Sequence, residues 1–128
     1  MKGMHILVVD DERRIREMVR EYFSAEGASV DEANDGCEAL DKLEKSERPY
    51  DAIILDIMMP RLDGYQTCAL IKKNAKYKST PVIMLSSKDG LFDRARGRMV
   101  GSDQYLTKPF TKESLLKAVA AHVNRAAA

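Results

Sequence analysis

Asp51-Ala52-Ile53-Ile54-Leu55-Asp56-Ile57-Met58-Met59-Pro60 is the stretch on which the fold turns. Four apolar residues, two of them β-branched, run straight into a carboxylate. A short apolar run of this kind fits a strand buried on both faces. Asp56 then stands at the carboxyl end of that strand, and in an open parallel sheet that edge is where ligands bind. A single strand-terminal aspartate is as often a turn or cap residue. Its meaning depends on what else reaches the same edge.

Upstream, His5-Ile6-Leu7-Val8-Val9 reads as a first strand, followed by Asp10-Asp11-Glu12 and a helix with Ile15, Met18, Val19, Tyr22 and Phe23 on one face. Gly27 marks its C-cap. Ala28 to Ala33 is a weaker strand. Asn34-Asp35-Gly36 is a turn able to cap the next helix, which carries Ala39, Leu40 and Leu43 and stops before Pro49. Downstream, Pro60 to Gly64 has loop chemistry, and a helix is expected over Tyr65–Asn74. Pro81 to Ser86 is a fourth strand, with proline at its start where no ladder donor is lost. A weaker helix spans roughly Leu91 to Val100, counted against by Gly97, since a mid-helix glycine costs ~1 kcal/mol relative to alanine. Asp103 to Thr107 is a fifth strand. A last helix, capped by Thr111, runs to about Asn124 and leaves a frayed Ala126-Ala127-Ala128.

Five strands alternating with five helices imply an α/β fold, a doubly wound parallel sheet with helices on both faces. The 128 residues suggest one compact domain, 1–128. With 45% hydrophobic and 32% charged residues the composition is that of an ordinary soluble chain, and no apolar run approaches the ~18 residues needed to span a bilayer. The first residues lack a signal-peptide pattern, so the cytoplasm is the expected compartment. Cys37 and Cys68 make no Cys-x-x-Cys pair, and two distant histidines do not suggest zinc. The net charge of +1 hides an asymmetry: residues 1–63 hold 16 acidic and 9 basic side chains, residues 64–128 only 4 acidic and 12 basic. A basic patch for an acidic partner is the sharper reading of this, a solvated face the plainer one. Aromatics are scarce around the lysines, so direct nucleic-acid binding is not expected.

Four strand ends bring reactive groups to the carboxyl edge: Asp10 and Asp11, Asp56, Ser86-Ser87, and Thr107-Lys108-Pro109. Carboxylates a few Å apart repel by ~4 kcal/mol per close pair at an effective dielectric of 20. A hard divalent ion relieves this, and Mg²⁺, which keeps waters and takes a few carboxylates together with phosphate oxygens, suits the set. With Lys108 and a hydroxyl added, the combination suits a phosphoryl group. Taken singly, Asp10 reads as a cap, Lys108 as a surface lysine and Tyr105 as a strand aromatic. Together they read as a site.

From about Met4 to Val123 the chain resembles the receiver domain of two-component response regulators, of the CheY-like type. The resemblance rests on Val8-Val9-Asp10-Asp11, Leu55-Asp56-Ile57-Met58-Met59-Pro60, Asp63-Gly64, Leu85-Ser86-Ser87 and Tyr105-Leu106-Thr107-Lys108-Pro109-Phe110. It implies a flavodoxin-like sheet of strand order 2-1-3-4-5. It implies that Asp56 takes a phosphoryl group from a phosphohistidine on a histidine kinase or phosphotransfer domain. Asp11 and Asp56 would hold Mg²⁺ directly, Asp10 through water, and Met58 by its carbonyl. Lys108 and Ser86 would meet phosphoryl oxygens, and Tyr105 would turn inward as Ser86 moves. Met58 and Lys88 would tune phosphoryl lifetime, and the Lys108-Pro109 peptide would be cis. Output would pass through the face formed by helix four, strand five and helix five, with catalysis limited to the chain's own phosphorylation and slow dephosphorylation. From Asp56 onward the sequence is similar to stand-alone receivers of type IV pilus (twitching) systems. The first half, Asp-Asp-Glu-Arg-Arg-Ile-Arg-Glu-Met, is similar to receivers that precede a DNA-binding domain. A hybrid or designed chain would read this way. Two rival readings remain at this stage. One is a receiver-fold interaction module that is not phosphorylated. The other is an aspartyl-phosphate hydrolase, for which an Asp-x-Asp motif and a substrate-recognition insertion are lacking.

Overall fold

The computed structural model describes residues 1–87 and 91–127. Five strands, β1 (His5–Val9), β2 (Ser29–Ala33), β3 (Ala52–Asp56), β4 (Val82–Ser86) and β5 (Gln104–Thr107), alternate with α1 (Arg13–Ser24), α2 (Gly36–Lys45), α3 (Gly64–Lys73), α4 (Leu91–Met99) and α5 (Lys112–Ala127). All pairings are parallel, in the order β2-β1-β3-β4-β5. The α/β, doubly wound architecture is therefore the one the alternation of elements implied, and its flavodoxin-like strand order is the one the resemblance implied.

Strand composition explains the order. Every residue of β1, β3 and β4 is buried, and these are the three interior strands. A strand covered by helices on both faces needs apolar side chains at every position. β2 and β5 carry Asp31, Glu32 and Gln104 and stand at the edges. The two-residue period of the strands divides their side chains between two cores. Leu7, Val9, Ile53, Leu55, Val82 and Met84 pack with Leu43, Tyr65, Cys68 and Ile71 of α2 and α3. Ile6, Val8, Ile54, Ile83 and Leu85 pack with Val19, Phe23, Leu115 and Val119 of α1 and α5.

Helix ends follow local chemistry. Gly27 closes α1: its N–H donates to the Ser24 carbonyl while Ala28 N–H reaches Phe23. Asp35 caps α2 through Glu38 N–H at 2.8 Å, and Asp63 forms a reciprocal capping box with Gln66. Thr111 Oγ1 accepts from Ser114 N–H at 3.0 Å at the start of α5. The helix expected over about Leu91–Val100 is present as α4, with Gly97 inside it. One bound is corrected. The last helix continues past Asn124 to Ala127, consistent with alanine being the strongest helix former. Among the described residues, no helix is long and apolar enough to cross a membrane.

Leu55 faces one core and is fully buried. Leu55→Ala should lower the unfolding free energy by about 2–5 kcal/mol, read as a fall in the urea midpoint. Val30→Ala on the half-buried edge strand should cost clearly less.

Candidate functional site

The first crossover carries the chain from β1 outward to β2, and the second carries it back past β1 to β3. The ends of β1 and β3 therefore flank the point where strand order reverses, the place where open α/β sheets leave a crevice. Asp10 and Asp11 follow β1, and Asp56 ends β3. One carboxylate oxygen from each of these three residues lies within 4.8 Å of the others. Asp10 and Asp56 are 0% and 3% exposed, whereas Asp11 faces solvent.

The loop after β5 supplies the countercharge. Lys108 Nζ lies 3.0 Å from Asp56 Oδ1 and 3.4 Å from Asp10 Oδ2. Its backbone N–H donates to the Ser86 carbonyl at 2.6 Å, which ties that loop to the end of β4. The Lys108–Pro109 peptide is cis. Ser86 is buried at the end of β4, in register with Thr107.

One ammonium does not neutralise three carboxylates. Burial, followed by the charge of Asp10, pushes Asp56 up to about 6 despite Lys108. Burial likewise raises Asp10, against the Glu12 N–H and Lys108. Burial opposes the charge on Lys108, but Asp56 and Asp10 outweigh it and hold the ammonium above the usual lysine value. The set is all oxygen and short of positive charge. It fits a hard divalent cation such as Mg²⁺, with Asp10, Asp11 and Asp56 as the side chains able to hold it.

Met58 follows Asp56 by two residues, with its side chain 56% exposed beside the crevice. Lys88 lies outside the described residues. Tyr105 is 8% exposed, its ring turned into the protein. A Cβ on Gly97 of α4 would lie 3.1 Å from the ring's Cδ2, so any side chain there would require the ring to give by a few tenths of an ångström. The Arg94 guanidinium lies 5.1 Å from the centre of that ring and donates to Thr107 Oγ1 at 3.0 Å.

Three contributors to the site make contacts that carried no sequence signal. Gly64 N–H donates to the Ile57 carbonyl at 2.9 Å, and a Cβ there would lie 2.4 Å from the Asp56 carbonyl oxygen. The first turn of α3 thus sits directly on the backbone of Asp56 and Ile57. The second is Tyr65: its hydroxyl donates to the Asp93 carbonyl at 3.1 Å. The Arg96 guanidinium covers its ring at 4.2 Å. The third is Arg61, at φ +65°, which reaches Asp35 at 2.6 Å and joins the loop after β3 to the cap of α2. Gly64 stands in the sequence as loop chemistry and, with Asp63, as one of the motifs of the receiver resemblance; its contact depends on two elements meeting in space.

The profile of the response regulator receiver domain family matches residues 6–120. Protein PilG of Pseudomonas aeruginosa is 59% identical over 121 residues, covering 94% of this chain and 88% of PilG. Response regulator MprA of Mycobacterium avium is 44% identical over 122 residues, covering 95% of this chain and 52% of MprA, so the chain spans about half the length of that relative. Among solved structures, the chemotaxis response regulator CheY4 of Vibrio cholerae superposes with a TM-score of 0.87 at 35% identity, over 94% of this chain and 99% of that one.

Two consequences can be measured. The fold favours the neutral form of Asp56, so its contribution to stability is complete below about pH 4 and is lost as pH rises through about 6. In metal-free buffer Asp56→Asn should therefore be more stable than the parent at pH 7–8, by on the order of 1–3 kcal/mol. The advantage should vanish as pH approaches 4 in paired thermal melts. Gly64→Ala forces the backbone of α3 away from Asp56. It should lower the melting temperature, by an amount equivalent to about 1–3 kcal/mol, and shift the backbone amide resonances of Asp56 and Ile57.

Proposed function

The chain belongs to the response regulator receiver domain family of two-component systems, and on that premise we propose that it accepts a phosphoryl group on Asp56 in a Mg²⁺-dependent reaction. The acquired charge would then change its affinity for a protein partner. The observation that carries this reading is the meeting of Asp10, Asp11, Asp56 and Lys108 at the switch point of the sheet. No neutral substrate needs three carboxylates and an ammonium at one edge.

An ionised Asp56 oxygen attacks the phosphorus of a phosphohistidine on a histidine kinase or phosphotransfer domain. The O–P bond forms, the P–N bond breaks, and the donor imidazole keeps the electron pair and takes up a proton. Mg²⁺, when bound, would neutralise charge between the carboxylates and the incoming phosphoryl oxygens. Asp11 and Asp56 would hold it directly, Asp10 through water, and the Met58 carbonyl would complete the protein's share. Lys108, paired with Asp56 at 3.0 Å, transfers its ammonium to a phosphoryl oxygen. Ser86 hydrogen-bonds another. Met58 and Lys88, two residues after Asp56 and Ser86 in the sequence, would tune the lifetime of the acyl phosphate.

Phosphorylation is a local charge event that must bias a two-state element. Ser86 and Tyr105 form that element, and α4, β5 and α5 form the surface that reports it. Turning a 1:99 population into 99:1 requires about 5.5 kcal/mol of differential interaction. A dianion held between Mg²⁺ and Lys108 in a dry crevice is a plausible source for much of it. Tyr105 lies inward in the structure, the arrangement this reading assigns to the phosphorylated form. The output partner in this reading is a protein met in the cytoplasm, without direct nucleic-acid binding.

Incubation with acetyl phosphate and Mg²⁺ should add the mass of one phosphoryl group, measured on the intact protein. Asp56→Asn should not take it up, and chelation by EDTA should suppress it by more than tenfold. Uptake that persists in Asp56→Asn moves the acceptor elsewhere. No uptake by the parent chain favours the non-phosphorylated interaction module.

A further inference from the structure

We propose that Arg16 is a positioning residue for the acidic cation site, acting through the peptide plane between Asp10 and Asp11. The inference rests on the reading of Asp10, Asp11 and Asp56 as the Mg²⁺ site. Every polar group of Asp10 has a partner: its N–H donates to the Ala33 carbonyl at 3.1 Å, Oδ1 accepts from Glu12 N–H at 2.9 Å, and Oδ2 faces Lys108. Its carbonyl accepts from Arg16 Nη1 at 2.7 Å. Asp11, by contrast, is exposed, and its carboxylate makes no hydrogen bond among the described residues. The direction of the Asp11 side chain is therefore set by its backbone. The Asp10 carbonyl and the Asp11 nitrogen belong to one rigid plane, so the donor that holds the carbonyl also orients the start of Asp11.

Arg16 is built for this task. Its side chain is only 15% exposed. While Nη1 holds Asp10, Nε donates to Glu32 Oε1 at 3.2 Å, and Glu32 is steadied in turn by Arg20 at 3.1 Å. The guanidinium thus spans α1, the turn after β1 and the edge strand β2. A lysine offers a point charge without that rigid fork and cannot hold both acceptors in the same way. Because Glu32 balances the charge of Arg16, the residue contributes orientation more than field. Partners of this kind around metal ligands commonly change metal affinity by 10–100-fold when removed.

The test is the Mg²⁺ dissociation constant, measured by calorimetry on the full chain for the parent, Arg16→Met and Arg16→Lys, alongside metal-free thermal melts. Arg16→Met should weaken Mg²⁺ about tenfold, and Arg16→Lys should remain several-fold weaker than the parent. The Asp10 carbonyl ¹³C resonance should shift in Arg16→Lys, a readout that does not depend on Arg16→Met folding. If Arg16 acted only by its charge, Arg16→Met would bind Mg²⁺ more tightly and Arg16→Lys would match the parent; either result overturns the proposal. Unchanged affinity with a lowered melting temperature also overturns it, leaving Arg16 as a strut between α1 and β2. If the parent itself binds no Mg²⁺, the site reading falls and this inference falls with it.

Discussion

Among the described residues, two buried carboxylates share the Lys108 ammonium at the reversal point of the sheet, with a third, exposed one beside them, and much of the molecule serves to hold them there. At the crevice, burial penalises ionisation and each carboxylate penalises the next. Charges left in that condition would turn toward water if the backbone allowed it. Asp10 is instead fully enclosed and bonded on all sides, and Asp56 ends a strand with no exposed residue. The rigidity of the interior strands is what keeps the cluster poised for a cation and an anion to arrive together. Electrostatic strain of this kind is a usual mark of a functional edge.

The strand order has a direct bearing on this arrangement. Since β1 and β3 are neighbours although β2 lies between them in sequence, residues 10 and 56 meet without any loop reaching across the site. Lys108 arrives from the far edge, two strands away, on a loop fastened to the end of β4. The cation is therefore attached to a different part of the sheet from the acids it balances. A change at β4 or β5 can move Lys108 relative to Asp56 while β1 and β3 stay fixed.

Much of this was legible in the sequence because the relevant signals are local. β1, β3 and β4 read as unbroken apolar runs, since both faces of each are covered, and the acids and Lys108 follow strand ends in an order that the topology converts into proximity. What escaped depends on contacts between elements far apart in the chain. Nothing around Gly64 announces that α3 lies on the Asp56 backbone. Arg16 reads as one of four arginines on a solvated helix until its reach to Asp10 is seen. Tyr65 looks like the first apolar residue of a helix, and its hydroxyl contact exists only once α4 is in place. The helix around Gly97 was legible, but the close approach of the Tyr105 ring to that glycine was not, since it joins residues from two elements.

That glycine has a further consequence. The ring of Tyr105 fills the space a side chain on α4 would otherwise occupy, against Ser102 and Met84. Were the ring to turn outward, nothing on the helix would replace it, and Met84 would be the flexible neighbour able to expand into the gap. The inward arrangement would then be the denser one, with a void or a water molecule beneath α4 in the other. The two states of the proposed switch would differ in volume as well as in charge, which would make hydrostatic pressure a physical variable acting on their balance.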